Sequence, residues 1–284
     1  MNNNISQHYL LKNMLHTFLL LTGMLLLLSL IGWLVAGYIG VLWSLATGII
    51  LMMGIPGISS HFALYLYRAR PLASGQLTEI INWLSIKSHL SYPPELYYIP
   101  SRNLLAFSVG MSKEKSIAIS HGLIETLSTR EIAAVLAHEV AHIQGKDLWV
   151  VAMAEVISRI TGLMALLGYL LLLFYLPVLL LKGEPIPWML LLVLILAPYL
   201  SALMQLALSR TREFNADIQA VNLTGDPKGL ISALSKLENY QHNWLRQLVP
   251  GLHHPQPSLL RTHPSTRERI RRLQEIAQQD FRSF

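Results

Sequence analysis

No cysteine occurs among the 284 residues. That excludes disulfides, haem thiolates and zinc sites built on sulfur, and it says little about compartment. Charge is also scarce. Asp, Glu, Lys and Arg make up 13% of the chain, against about 25% in soluble domains. Internal repeats and low-complexity tracts are lacking. So is the interleaving of basic and aromatic residues that marks RNA-binding surfaces, and no nucleic-acid partner is expected. What is present is apolar: 52% of residues are hydrophobic, which points to a bilayer. The formal net charge of +6 fits a membrane protein whose basic residues gather in cytoplasmic loops near anionic lipid.

Four apolar stretches reach the ~20 residues that a span needs: Leu15–Val35, Ile39–Leu66, Ile160–Leu181 and Trp188–Leu208. The first is too long and too weakly flanked to be a cleaved signal peptide and reads as a signal anchor. Lys12 precedes it, Arg68, Arg70 and Lys87 follow the second stretch, Arg159 precedes the third, and Arg210 and Arg212 follow the fourth. The connections 36–38 and 182–187 carry no net charge. The bias of Lys and Arg therefore puts both termini and both polar segments in the cytoplasm. The expected division is 1–67 and 151–209 as two transmembrane hairpins, with 68–150 and 210–284 together forming one soluble domain.

Within 68–150, Gln76–His89 reads as a helix. Tyr97–Pro100, Ala106–Gly110 and Ser116–Ser120 read as short strands, the last two joined as a hairpin. Ser128-Thr-Arg-Glu131 is a capping box, flanked by Leu127 and Ile132 at hydrophobic-staple positions, and Gly145 is the expected stop of the helix it opens. Ser265-Thr-Arg-Glu268 is a second capping box. It opens a basic amphipathic helix with Ile270, Leu273 and Ile276 on one side.

The first capped helix carries His138-Glu139-Val140-Ala141-His142. Histidines at i and i+4 share a helix face and can hold one Zn²⁺. The glutamate between them is placed to take a proton from attacking water. In a chain of this composition about 0.02 such matches are expected by chance. Zinc needs a third protein ligand and one open position. A third histidine shortly after Gly145 is excluded, because Leu148 stands at the required place. Glu155 and Glu213 remain. On an unbroken helix Glu155 would lie about 20 Å beyond His142 and on the opposite face, and Arg159 offers it an i+4 partner. Glu213 returns just beyond the fourth stretch, and Asp217 sits one turn further on the same face, where a carboxylate can orient a ligand histidine. His253 and His254 read as solvated loop histidines, and His121 as a satisfied polar residue near the motif helix.

The segment from His138 to Asp147, paired with Ser209-Arg-Thr-Arg-Glu213-Phe-Asn-Ala-Asp217, resembles the M48 membrane zinc metallopeptidases, in their HtpX-like branch. Gly122-Leu-Ile-Glu-Thr-Leu and Thr262-His263-Pro264 fit the same family. The resemblance implies a multi-pass α-helical membrane protein of about four spans. Its cytoplasmic protease domain would be zincin-type, mainly α and α+β, with a small β-sheet. It further implies one Zn²⁺ per chain held by His138, His142 and Glu213, with Glu139 as general base and Asp217 behind the ligands. Polypeptides, membrane or misfolded proteins above all, would be cleaved at the cytoplasmic face of a bacterial inner membrane, in protein quality control. The family's substrate-holding edge strand maps to Ala106, Phe107, Ser108, Val109 and Gly110. Asn103 is separated from it by two extra residues. His263 and Arg210 are candidate donors to the tetrahedral oxyanion. The alternative is a non-catalytic membrane scaffold or adaptor that keeps zinc for structure.

Overall fold

The computed structural model of the chain describes residues 3–54, 59–110, 115–248 and 265–281. In chain order the elements are α1 (Asn3–Gly54), α2 (Ser59–Leu66), β1 (Arg70–Pro71), α3 (Gln76–Lys87), β2 (Glu95–Ile99), β3 (Ala106–Val109) and β4 (Ser116–Ser120). Then follow α4 (His121–Thr126), α5 (Thr129–Gln144), α6 (Asp147–Lys182), α7 (Trp188–Thr224), α8 (Pro227–Leu248) and α9 (Thr266–Phe281). They fall into two compact units. One comprises Met14–Ile55 and Val150–Ser209, the other Met1–Asn13, Pro56–Trp149 and Arg210–Phe284.

The first unit is apolar outside as well as inside. Met24, Leu28, Ile157, Ile160 and Leu208 are buried, while Trp43, Phe174, Leu171 and Leu181 are exposed. Such a surface suits a hydrocarbon solvent, not water. Among the described residues three helices are long and apolar enough to cross a membrane: Leu11–Leu51, Asp147–Lys182 and Trp188–Thr224.

The sequence suggests four spans, and the difference lies in α1 and α2. α1 is broken at Ala36 (φ −144°, ψ 25°) and Gly37 (φ 60°, ψ −149°). Past the break the chain returns on itself, so that a Cβ on Gly40 would sit 2.1 Å from the Gly32 carbonyl oxygen. On a straight helix these residues would be about 12 Å apart. α1 is thus two arms that meet at glycines, the small residues that let helix backbones approach. The expected span 39–66 is divided. Its first part ends with α1 at Gly54, and Ser59–Leu66 is a separate helix in the other unit.

The second unit is built on a mixed four-stranded sheet of order β1-β2-β4-β3. β2 and β4 run parallel, and β3 returns antiparallel to β4 with Phe107 opposite Ala118 and Ser108 opposite Ile117. This is the expected hairpin, its connection 111–114 lying outside the described residues. β1, only two residues long, pairs antiparallel with β2 and carries too little pattern to be read in sequence. β4 is buried throughout, because it lies between β2 and β3 and both its faces are covered: Ala118 packs with Leu64 of α2, Ile99 and Val109 on one side. Ile117 and Ile119 join Val135, Leu136 and Val140 of α5, Ile81 and Leu84 of α3, and Val221, Leu230, Ala233 and Leu273 of α7, α8 and α9 in one core. Each fully buried Leu or Ile there contributes about 1.5–3 kcal/mol.

The start of α5 is fixed as its sequence requires. Ser128 Oγ accepts from the Glu131 N–H, and Glu131 Oε2 accepts from the Ser128 N–H at 2.8 Å. Ser232 (2.6 Å) and Lys236 (2.7 Å) of α8 also reach the Glu131 carboxylate. Burial pushes that carboxyl up, but Lys236, Ser232 and Ser128 outweigh it and hold it at about 2.

Candidate metal centre

α5 presents His138 and His142 one turn apart, with ring centroids 4.6 Å apart and planes nearly perpendicular. Their Nε2 atoms are 3.1 Å from each other. Glu213, on α7, faces both rings: Oε2 lies 3.6 Å from His138 Nε2, and Oε1 lies 3.7 Å from His142 Nε2. One ligand atom from each of the three residues lies within 4.8 Å of the other two, so the donor set fits zinc in number and chemistry. Among the described residues this group alone brings three such ligand atoms within 4.8 Å of one another.

The far nitrogens of both rings face carboxylates. Nδ1 of His142 meets Asp147 Oδ2 at 2.7 Å. Nδ1 of His138 lies 3.1 Å from Asp217 Oδ1, a close charge contact without the alignment of a hydrogen bond. Carboxylates behind ligand histidines fix the tautomer that leaves Nε2 for a metal. Arg269 of α9 binds Asp217 through Nε at 2.7 Å and Nη2 at 2.6 Å. Its Nη1 lies 3.1 Å from Glu213 Oε2. Burial pushes the Asp217 carboxyl up, but Arg269 and His138 outweigh it and hold it below its ordinary value.

Without a metal the two imidazoles titrate apart. Burial pushes His138 down, yet Asp217 and Glu213 outweigh it and raise it to about 9. Burial, with protonated His138 alongside, lowers His142 to about 4. Glu139 is buried beside them, and its charge acts on both His142 and Arg269.

The structure brings His138, His142, Glu213 and Asp217 together. Ala106–Val109 is the edge strand of the sheet. Ser120 N–H donates to the Leu105 carbonyl, which sets the antiparallel alternation: Phe107 and Val109 bond β4, whereas Ala106 and Ser108 turn their N–H and C=O to the outer edge, which pairs with no strand among the described residues. Glu155 is elsewhere employed, bonded to Arg159 at 2.6 Å and to Gln205. Arg210 is half-buried at the boundary of its unit. His121 pairs with Glu125 at 3.0 Å, the bland role expected of it. His263, His253 and His254 lie outside the described residues.

α5 stops at Gly145, as its sequence suggests. Gly145 ends α5 in right-handed geometry (φ −72°, ψ −5°). The left-handed residue is Lys146 (φ 53°). Sequence reasoning missed three contributors: Asp147, Arg212 and Arg269. Asp147 stands in the motif segment itself, five residues past His142. The signal for Arg269 was weaker, an arginine on the flank of an amphipathic helix.

The sequence model of peptidase family M48 matches residues 71–277, a range that contains every residue of the centre. The chain is 36% identical over 238 residues to a "Protease HtpX homolog" of Acaryochloris marina (strain MBIC 11017), covering 78% of this chain and 80% of that one. It is 32% identical over 280 residues to "Protease HtpX" of Legionella pneumophila (strain Lens), covering 93% and 99%. In fold it resembles the crystal structure of S. mikatae Ste24p, with a TM-score of 0.51 and 22% identity. That likeness covers 79% of this chain and 55% of the Ste24p chain, so this chain spans about half of that protein.

Proposed function

Since this chain belongs to peptidase family M48, whose members are zinc metallopeptidases, we propose that it is a membrane-bound endopeptidase that cuts membrane or misfolded proteins at the cytoplasmic face. The observation that carries this reading is the convergence of His138, His142 and Glu213, one ligand atom from each within 4.8 Å of the other two. One ion per chain would be held there, with Asp217 orienting His138. Bound zinc would supply Lewis acidity and lower the pKa of water in the open position. Glu139 takes the proton from the attacking water and passes it to the leaving amine. Arg269 offsets the charge of Glu213, itself a ligand, and of Asp217 behind His138. Ala106–Gly110 holds the substrate. An extended peptide added to the edge at Ala106 and Ser108 is bound through its main chain, which suits a protease of broad sequence tolerance. His263, six residues before Arg269, is assigned as donor to the developing oxyanion.

The same reading extends to the membrane. The two arms of α1 cross as a hairpin, α6 and α7 cross as a second, and both termini face the cytoplasm of a bacterial cell. Lys12, Arg68, Arg70, Arg159, Arg210 and Arg212 support that orientation. Residues 1–67 and 151–209 form the membrane part, and 68–150 with 210–284 form the protease domain. The test is metal removal. Detergent-purified chain stripped with a chelator stops cleaving casein, and about one equivalent of zinc restores cleavage. Cleavage that survives complete stripping contradicts the reading, and a zinc-loaded chain that cleaves nothing favours the scaffold.

A further inference from the structure

The metal centre is assembled from two segments, α5 and α7, and one ion pair joins them away from the ligand atoms. Asp147, the first residue of α6, is buried, and both its oxygens are used. Oδ2 meets His142 Nδ1 at 2.7 Å. Oδ1 pairs with Nη2 of Arg212, which also donates to the Gly145 carbonyl at 3.0 Å. Arg212 is buried as well, and it immediately precedes the ligand Glu213.

A bland role for Asp147 exists, since an acidic residue in the first turn of a helix complements its dipole. That role needs neither burial nor a partner. A buried carboxylate costs several kcal/mol unless it is paired and hydrogen-bonded, and here both partners are named. Gly145 gives a second sign. A Cβ there would lie 2.6 Å from Arg212 Nη2 and 2.6 Å from Asp147 Oδ1. The left-handed position of the turn belongs to Lys146, so glycine at 145 serves to leave room for the ion pair.

We propose that Asp147 and Arg212 form a clamp that positions the metal centre. Asp147 accepts from His142 Nδ1–H and thereby leaves Nε2 free for the metal. Arg212 ties that carboxylate, and the turn at Gly145, to the segment that carries Glu213. Asp147 is a positioning residue, because it touches a ligand and not the reacting atoms. The inference rests on the zinc-peptidase reading and adds to it two residues outside the ligand set.

The test is a zinc titration of the stripped, detergent-purified full chain against a competing chelator, beside thermal melting of the metal-free chain. The parent takes up about one zinc. Asp147→Ala binds zinc roughly 10–100-fold more weakly. Asp147→Asn keeps an acceptor for His142 but no charge for Arg212, and it falls between the two. Arg212→Gln also weakens zinc binding, although it touches no ligand. If Asp147→Ala does not fold, the other two variants carry the test. A merely structural role lowers the melting temperature and leaves the folded fraction with the parent's zinc affinity, which overturns the clamp. A parent that binds no zinc overturns the metal reading itself, and a zinc-binding parent with unchanged variants overturns the clamp alone.

Discussion

Arg269 shows how charge is managed at this centre. Two carboxylates, Asp217 and Glu213, share its guanidinium, whose side chain is only 11% exposed. Removing one partner of a buried pair leaves uncompensated charge, which costs about 3–5 kcal/mol. Arg269→Ala therefore lowers the melting temperature of the metal-free chain sharply, whereas Arg271→Ala, with Arg271 on the exposed side of the same helix and paired with the exposed Glu275, leaves it near the parent value. Equal melting of the two variants would contradict this account. In sequence, the ligand set was partly open at this scale. His138 and His142 follow from spacing on one helix, and Asp217 from its place one turn past Glu213. The choice of Glu213 over Glu155 needed a resemblance, because no local pattern says which distant carboxylate returns to a helix. Asp147 and Arg269 went unread for the same reason: their burial is set by partners far along the chain.

At the scale of elements, α5 and β3 carry the account. The capping box of α5 was legible because all its parts are local. The clasp of Ser232 and Lys236 on Glu131 was not, because α8 arrives from far along the chain. That clasp gives a pH dependence of known sign. The Glu131 carboxyl is held at about 2 in the fold, against 4.5 as its ordinary value. The unfolded chain therefore takes up the proton first as pH falls. The stabilisation is complete above about 4.5 and is lost progressively towards 2, and its size is on the order of 2 kcal/mol. Glu131→Gln accordingly melts below the parent at pH 7, and the gap narrows as pH is lowered to 4 and below. A gap that widens on acidification would contradict the assignment. For β3, Ala106→Pro removes one outward N–H and leaves the bonds of Phe107 and Val109 to β4 in place. It lowers kcat/KM roughly tenfold, the worth of about one hydrogen bond, with zinc content unchanged. An unaltered kcat/KM would remove this edge from the substrate path.

At the scale of the whole molecule, apolar windows located the membrane segments but not their ends. Hydropathy counts residues and is blind to the break at Ala36 and Gly37, or to the division of 39–66 between two units. The absence of cysteine makes the topology directly testable. Glu184→Cys, between α6 and α7, reacts with an impermeant maleimide in intact spheroplasts. Lys228→Cys, at the start of α8, reacts only after lysis. Labelling of Lys228→Cys in intact spheroplasts would contradict the orientation drawn from Lys12, Arg68, Arg159 and Arg210. The central claim is that one zinc held by His138, His142 and Glu213 works with Glu139 to cleave peptide bonds. The most direct measurement is zinc content and casein cleavage on the same preparations of the parent and Glu139→Gln. The account predicts about one zinc per chain in both, with cleavage at least a hundredfold slower in the variant than in the parent. Cleavage by Glu139→Gln at the parent's rate would contradict it.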